Sequence, residues 1–237
     1  MPAFRFKQFT LEQHQKVFKV GTDGILLGAW ADTLRASNVL DVGTGTGLIA
    51  SMIAQKTPET TTITGIDPNE SAFLLASENI ANSPWKNRLR ILHTTLSDFT
   101  INYTSKFDLI VSNPPYFNAG ILPEKQESKQ SRHTISLSHE GLIKDSKSIL
   151  SENGSLSLIL PYAEGQEFIR MALKQNLHLH RLTEVRSRPQ TSVERLLMSF
   201  STHAWPLVQN ELVIYDQESG SYSDEYVELT KDFYLNM

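Results

Sequence analysis

An α/β fold, a mostly parallel sheet with helices on both faces, is predicted by three features of the sequence. Short β-branched apolar runs alternate with helical stretches from about residue 38 onward, which is the pattern of successive βαβ units. Near 177–187 and 194–202 two strand candidates follow one another, with only the turn signal Ser187-Arg188-Pro189-Gln190 between them; this predicts an antiparallel ending to the sheet. A glycine-rich turn, Gly43-Thr44-Gly45-Thr46-Gly47, stands at the carboxyl end of the first strand of the series, where open parallel sheets hold their ligands.

Asn38–Val42 is the first buried strand, and Leu48 to Lys56 the helix after it. Thr61–Asp67 is the second strand, followed by a helix over about Glu70–Ala81. Leu89–His93 and Phe107–Ser112 are the third and fourth. A helix near 138–150 leads through the turn Asn153-Gly154 to the fifth strand, Ser155–Leu160, and a helix over 164–176 precedes the last two strands. Residues 118–133 are polar and aperiodic, which predicts a long mobile loop. The whole chain of 237 residues reads as a single domain: an N-terminal extension (1–37), a core (38–202) and an acidic C-terminal appendage (203–237).

Apolar residues make up 40% and charged residues 20%, the balance of a globular protein with a sizeable core. Without a single Cys there is no disulfide framework, thiolate nucleophile or Cys-ligated zinc. The N-terminus has no apolar leader region, and no apolar run is long enough to cross a membrane, so a cytoplasmic protein is expected. The net charge of −4 is unevenly spread. Glu211, Asp216, Glu218, Asp224, Glu225, Glu228 and Asp232 crowd the C-terminal end and leave residues 1–209 slightly basic. Arg170, Lys174, Arg181, Arg186, Arg188 and Arg195, with His178 and His180 among them, form a basic run that keeps a nucleic-acid partner open.

The glycine turn has the spacing G-x-G-x-G, with Leu48 where a dinucleotide fingerprint requires its third glycine, and no Gly-Lys-Ser/Thr follows as in a P-loop. Asp41, directly before it, suits an ammonium group better than a pyrophosphate. Asp67 ends the second strand. It can accept both hydroxyls of a ribose, or cap the next helix, since Pro68 follows and Glu70 lies three residues on. Asp98 and Phe99 can bind an adenine amine and cover its face, or be a solvated loop acid beside a core ring. Three acids at successive strand ends point at one crevice.

Asn113-Pro114-Pro115-Tyr116 follows the fourth strand. Two prolines stiffen the backbone, so Asn113 and the Pro114 carbonyl can be fixed acceptors. An exocyclic amine conjugated to an aromatic ring is a poor nucleophile, and two acceptors on its hydrogens stabilise the positive charge it develops on attack. Tyr116 supplies a face for an extruded planar base. A zinc site is not expected: His139-Glu140 has Ile143 where a metalloprotease motif needs His.

Asp41–Gly47, Asp67, Asp98 and Asn113–Tyr116, in that order, resemble the class I S-adenosylmethionine-dependent methyltransferases of the amino-methylating Asn-Pro-Pro-Tyr type. The segment Phe18-Lys19-Val20-Gly21-Thr22-Asp23-Gly24-Ile25-Leu26-Leu27-Gly28-Ala29-Trp30 is similar to the leading motif of the bacterial tRNA(Val) adenine-N6 methyltransferases, which modify the adenine just 3′ of the anticodon. The resemblance covers nearly the whole chain. It implies a Rossmann-like seven-stranded sheet ending in a reversed strand, S-adenosylmethionine as cofactor, and tRNA, through its anticodon stem-loop, as partner. It further implies that Lys19, Thr22 and Asp23 border the cofactor, beside Asp41, Gly43, Gly45, Gly47, Asp67, Pro68, Asp98, Phe99 and Asn113. RNA docking is expected at the basic run with Arg186 and Arg188, at Arg5, Lys7 and Lys16, and at Arg132-His133 after the tetrad. Other amines remain as alternative substrates: protein glutamine, or an rRNA or DNA base. So does a non-catalytic RNA-binding module. Against the first of these, only 37 residues precede the first strand, too few for the extra domain of release-factor glutamine methyltransferases.

Overall fold

A computed structural model of the chain describes residues 2–15, 17, 19–115, 137–216 and 220–237. The expected loop at 118–133, and with it Tyr116, Arg132, His133 and Lys16, lies outside the described residues. The chain opens with a two-stranded hairpin, β1 (Phe4–Arg5) and β2 (Thr10–Leu11), and helix α1 (Thr22–Trp30). Then come β3 (Asn38–Val42), α2 (Leu48–Lys56), β4 (Thr62–Asp67), α3 (Glu70–Ala81), β5 (Leu89–His93), α4 (Leu96–Asn102) and β6 (Phe107–Ser112). The second half runs α5 (His139–Ile149), β7 (Leu150–Pro161), α6 (Tyr162–Lys174), β8 (His178–Arg186), β9 (Arg195–Ser201), β10 (Val208–Val213) and α7 (Asp224–Thr230).

The main sheet has the order β10-β8-β9-β7-β6-β3-β4-β5, every pairing parallel except the two made by β9. The α/β class, the four expected helices (α2, α3, α5 and α6) and the reversed strand therefore stand as the sequence predicts, with two refinements. The sheet has eight strands among the described residues instead of seven, because β10, inside the segment read as an acidic appendage, pairs in parallel with β8. The reversed strand β9 fills a slot between β7 and β8. Asn153-Gly154, expected as a turn before the fifth strand, falls within β7 at a register shift against β6. A Cβ at Gly154 would stand 2.6 Å from the Phe107 carbonyl oxygen, so only glycine lets the two backbones approach there.

Helices α4, α5 and α6 cover one face of the sheet through Leu96, Phe99, Leu142, Ile143 and Phe168. Helices α1, α2 and α7 cover the other through Leu26, Leu27, Trp30, Ile49, Ile53 and Tyr226. The acidic end is part of this second layer: buried Tyr226 belongs to its core. The two ends of the chain meet, with Phe6 bridging Tyr234 and Lys7 Nζ donating to the carbonyls of Lys231 (2.6 Å) and Met237 (2.8 Å). No helix among the described residues is long and apolar enough to cross a membrane.

Candidate active site

The strand order departs in opposite directions from the pair β3 and β6, which makes the crevice above their carboxyl ends the switch point of the sheet. The register aligns Val42 with Ser112, and Ser112 Oγ donates to the Val42 carbonyl at 2.9 Å. Gly43 and Asn113 thus leave adjacent strand ends, roughly 5 Å apart at the usual inter-strand spacing.

Gly43, Gly45 and Gly47 all have left-handed backbone, with φ of 74°, 58° and 82°, a conformation other residues adopt at a cost of roughly 1–2 kcal/mol. Their roles differ. A Cβ at Gly43 would meet nothing within 4 Å and one at Gly45 only the Gly43 carbonyl oxygen at 4.0 Å, whereas at Gly47 it would touch Ile80 Cδ1 at 3.4 Å. The first two glycines therefore clear room above the turn, and the third seats α2 against α3. The Ile66 carbonyl accepts from both Gly43 N (2.9 Å) and Thr44 N (3.1 Å), which fixes the turn to β4.

Asp41 is fully buried at the base of this turn. Its Oδ2 accepts from Thr44 Oγ1 at 2.7 Å and from Ala50 N at 3.2 Å, while Oδ1 has no hydrogen-bond partner and is sealed from solvent. Burial raises its pKa from 3.8 to about 7, against the two hydrogen bonds and with a smaller push from Asp67. Asp67, at the end of β4, is also buried; Oδ2 accepts from Gly45 N at 3.0 Å and Oδ1 from Asn69 N at 2.9 Å. Burial raises its pKa too, opposed by those two bonds and by His93. The cap of α3 is Asn69, whose Oδ1 accepts from Ala72 N, so Asp67 is not used as the cap. Each carboxylate oxygen carries two lone pairs, so Asp67 keeps capacity for two further donors. Pro68 is exposed beside it, with its carbonyl 3.0 Å from His93 Nε2.

Asn113 presents the other unpartnered atom of the crevice: Oδ1 is buried and accepts nothing. Pro114 behind it is buried and Pro115 exposed. Two buried acceptors without donors, Asp41 Oδ1 and Asn113 Oδ1, therefore flank the switch point. Buried polar atoms are seldom left so.

The other expected residues are distributed unequally. Asp98 is exposed in the first turn of α4, where Thr95 Oγ1 accepts from its N–H and donates to its Oδ2. Phe99 is turned into the core, stacked on Tyr103 at 4.6 Å. Lys19 and Thr22 are exposed where the chain enters α1, while Asp23 is held by Arg195, Nε to Oδ2 at 2.9 Å. Arg186 donates to the Thr191 carbonyl and pairs with Glu211; Arg181 lies 4.0 Å over the Trp30 ring; Arg170 pairs with Glu167; Lys7 is committed to the chain ends. Much of the basic run is thus consumed in internal contacts. Arg188 and Arg5 are exposed. Sequence reasoning missed Thr44, Ser112 and Asn79, which join the turn to its surroundings. Asn79 had a signal, because it shares the helical spacing of Ala72, Leu75, Ala76 and Ile80 and so lies on the inner face of α3.

The description "methyltransferase small domain" fits residues 14–188 as a family model. The chain belongs to this methyltransferase family. A protein of Haemophilus influenzae (strain PittEE) is 42% identical over 235 residues, covering 99% of each chain, and one of Vibrio vulnificus (strain YJ016) is 39% identical over 99% of this chain and 96% of its own. Both are named tRNA1(Val) (adenine(37)-N6)-methyltransferase. Among solved structures, a predicted O-methyltransferase of Agrobacterium tumefaciens superposes with a TM-score of 0.71 over 89% of this chain and 96% of its own, at 20% identity, and so shares the fold. In this methyltransferase the glycine turn, Asp41, Asp67 and Asn113 stand at the carboxyl ends of the adjacent strands β3, β4 and β6, while Phe99 belongs to the core. No cluster of His, Asp and Glu able to hold a metal is present among the described residues.

Proposed function

We propose that this methyltransferase transfers a methyl group from S-adenosylmethionine to N6 of adenine 37 in tRNA1(Val), acting as one domain in the cytoplasm and docking on the anticodon stem-loop. The names of relatives aligned over almost the whole chain support the substrate. The observation that carries the chemistry is the sealed, unpartnered Asn113 Oδ1 beside the glycine turn.

The crevice fits the cofactor on its own features. Gly43 and Gly45 leave space that a Cβ would fill, Asp67 retains lone pairs for ribose hydroxyls, and Asp41 Oδ1 is a buried acceptor for a cationic group. Lys19, Thr22, Pro68 and Asp98 would border this space. When bound, S-adenosylmethionine supplies an electrophilic methyl group. Asn113 Oδ1 and the Pro114 carbonyl hold the hydrogens of the adenine amine, draw its nitrogen toward a tetrahedral arrangement and stabilise positive charge as it forms. Pro115 stiffens that acceptor pair, and Tyr116 stacks the extruded base. Arg188 and Arg5, with Arg132, His133 and Lys16, take the phosphates. The chain contributes position, electrostatics and exclusion of water, with no covalent enzyme intermediate, and it has no Cys to form a thioether.

The test is mass spectrometry of nucleosides from tRNA1(Val) of a deletion strain and of the same strain complemented by this gene. N6-methyladenine at position 37 should appear only on complementation. Its absence, with gain of a methylated glutamine instead, would overturn the RNA assignment.

A further inference from the structure

Asn79 lies in the third turn of α3, 2% exposed, and both hydrogens and the oxygen of its carboxamide are bonded. Nδ2 donates to the Thr46 carbonyl at 2.9 Å, inside the glycine turn, and to the Glu12 carbonyl at 3.2 Å; Oδ1 accepts from Glu12 N at 2.8 Å. One side chain thus meets Glu12 as a strand neighbour would, with a donor and an acceptor, and spends its remaining hydrogen on the turn between Gly45 and Gly47. Two further anchors belong to the same segment. Gln13 Oε1 accepts from Val20 N at 3.1 Å, which ties Val20 to Gln13 just ahead of Thr22. Val17 is buried against Ala72 and Leu75 of α3, and Ala72 N is the group capped by Asn69, two residues after Asp67.

We propose that Asn79 is a positioning residue that clamps the N-terminal segment as a strap beside the glycine turn, so that cofactor affinity depends on a buried side chain whose hydrogen bonds go to Glu12 and Thr46. This rests on the cofactor reading given above. Removing the carboxamide frees the strap from the turn and strands the Thr46 carbonyl and both Glu12 groups, while Asn113 and the catalytic acceptors stay in place. The loss therefore falls on binding.

The experiment is calorimetric titration with S-adenosylhomocysteine, together with steady-state kinetics, on the wild type, Asn79→Ala, Glu12→Pro (which removes the N–H given to Asn79) and Glu78→Ala, a neighbouring exposed position on α3. Asn79→Ala and Glu12→Pro should each weaken binding by about tenfold or more, raise KM for S-adenosylmethionine in step, and keep kcat and KM for tRNA within about twofold. Glu78→Ala should match the wild type. Hydrogen exchange at the Glu12 amide should slow on S-adenosylhomocysteine binding in the wild type and stay fast in Asn79→Ala. If Asn79→Ala does not fold, Val17→Ala, which thins the apolar anchor alone, should shift affinity in the same direction. Unchanged affinity in the folded variants, even with a lowered melting temperature, overturns the strap. Failure of the wild type to bind S-adenosylhomocysteine would instead overturn the cofactor reading itself.

Discussion

Asn113→Ala separates catalysis from folding, because the structure gives opposite signs for the two. Asn113 Oδ1 is buried without a donor, a situation that costs roughly 1–3 kcal/mol per group. Truncation removes that burden and loses some packing of a half-buried side chain, so the net change is a stabilisation of about 1 kcal/mol. For a chain of this length that raises the melting temperature by ~2–4 °C. In the reaction the same atom accepts from a nitrogen that becomes positive, and the loss of one such pre-aligned group lowers kcat by ~10²–10³, or about 2.7–4 kcal/mol. Thermal melts of the free protein and single-turnover methylation of tRNA at saturating cofactor give the two quantities, and affinity for S-adenosylhomocysteine should stay within about threefold. A wild-type rate refutes the acceptor role. A melting temperature lowered by several degrees shows that Oδ1 serves the fold, and refutes the trade.

Asp41 gives a pH signature: a carboxyl whose pKa rises on folding from 3.8 to about 7 binds more protons folded than unfolded, so stability declines as pH rises between those values. Asp41→Asn should flatten that decline, which amounts to about 4 kcal/mol at most, and this is read by urea melts from pH 4 to 8. In the wild type, affinity for S-adenosylhomocysteine should fall by up to about tenfold per unit as pH drops below 7; a flat profile would remove Asp41 from the cationic end of the site. Phe99→Ala should destabilise the protein by about 3–5 kcal/mol in denaturant melts, because its ring is core between Tyr103 and Phe107. Arg188→Glu should lower tRNA affinity and reduce the salt slope by ~0.7–0.9 for each phosphate it no longer neutralises. Arg186→Ala should chiefly loosen the β8–β9 turn, which a melting curve detects; unchanged tRNA affinity in Arg188→Glu would move the docking face elsewhere.

The core was legible because its strands are buried on both faces. Asn38–Val42 and Phe107–Ser112 are such short apolar runs, and their limits coincide with those observed; so do those of Leu89–His93, an edge strand with Arg90 and His93 exposed. What escaped had weaker causes. Strand β10 reads Val208-Gln209-Asn210-Glu211-Leu212-Val213 with its first four residues exposed; an edge strand needs no apolar alternation, and its acid passed for a solvated tail when it in fact meets Arg186. Helix α4 is a two-turn segment fixed by the Thr95 cap, too short for a period to show. At the site, residue types singled out the acids and the tetrad as candidates, but not which lone pairs were taken. Asp67 holds backbone amides of Gly45 and Asn69, and Asp23 is tied to an arginine distant in sequence. The basic run illustrates the same limit: charge is written in sequence, while its availability to a phosphate depends on partners assembled by the fold.

The slot filled by β9 sets an order of assembly on the ribosome. Strand β8 is synthesised before either of its neighbours, since it pairs only with β9 and β10. When residues up to Arg186 have emerged and β9 has not, β7 is complete on one side only, and β8 has nothing to pair with. Both stay open until β9 arrives to join them, at translation speeds of ~5–20 residues per second. A chain in which β8 has emerged and β9 has not would therefore expose three unsatisfied strand edges, one on β7 and both on β8, the arrangement that draws in chaperones or another copy of the same chain. The hairpin turn Ser187–Gln190 limits that interval by delivering β9 within a few residues, so lengthening it should cost soluble yield before it costs stability of the finished protein.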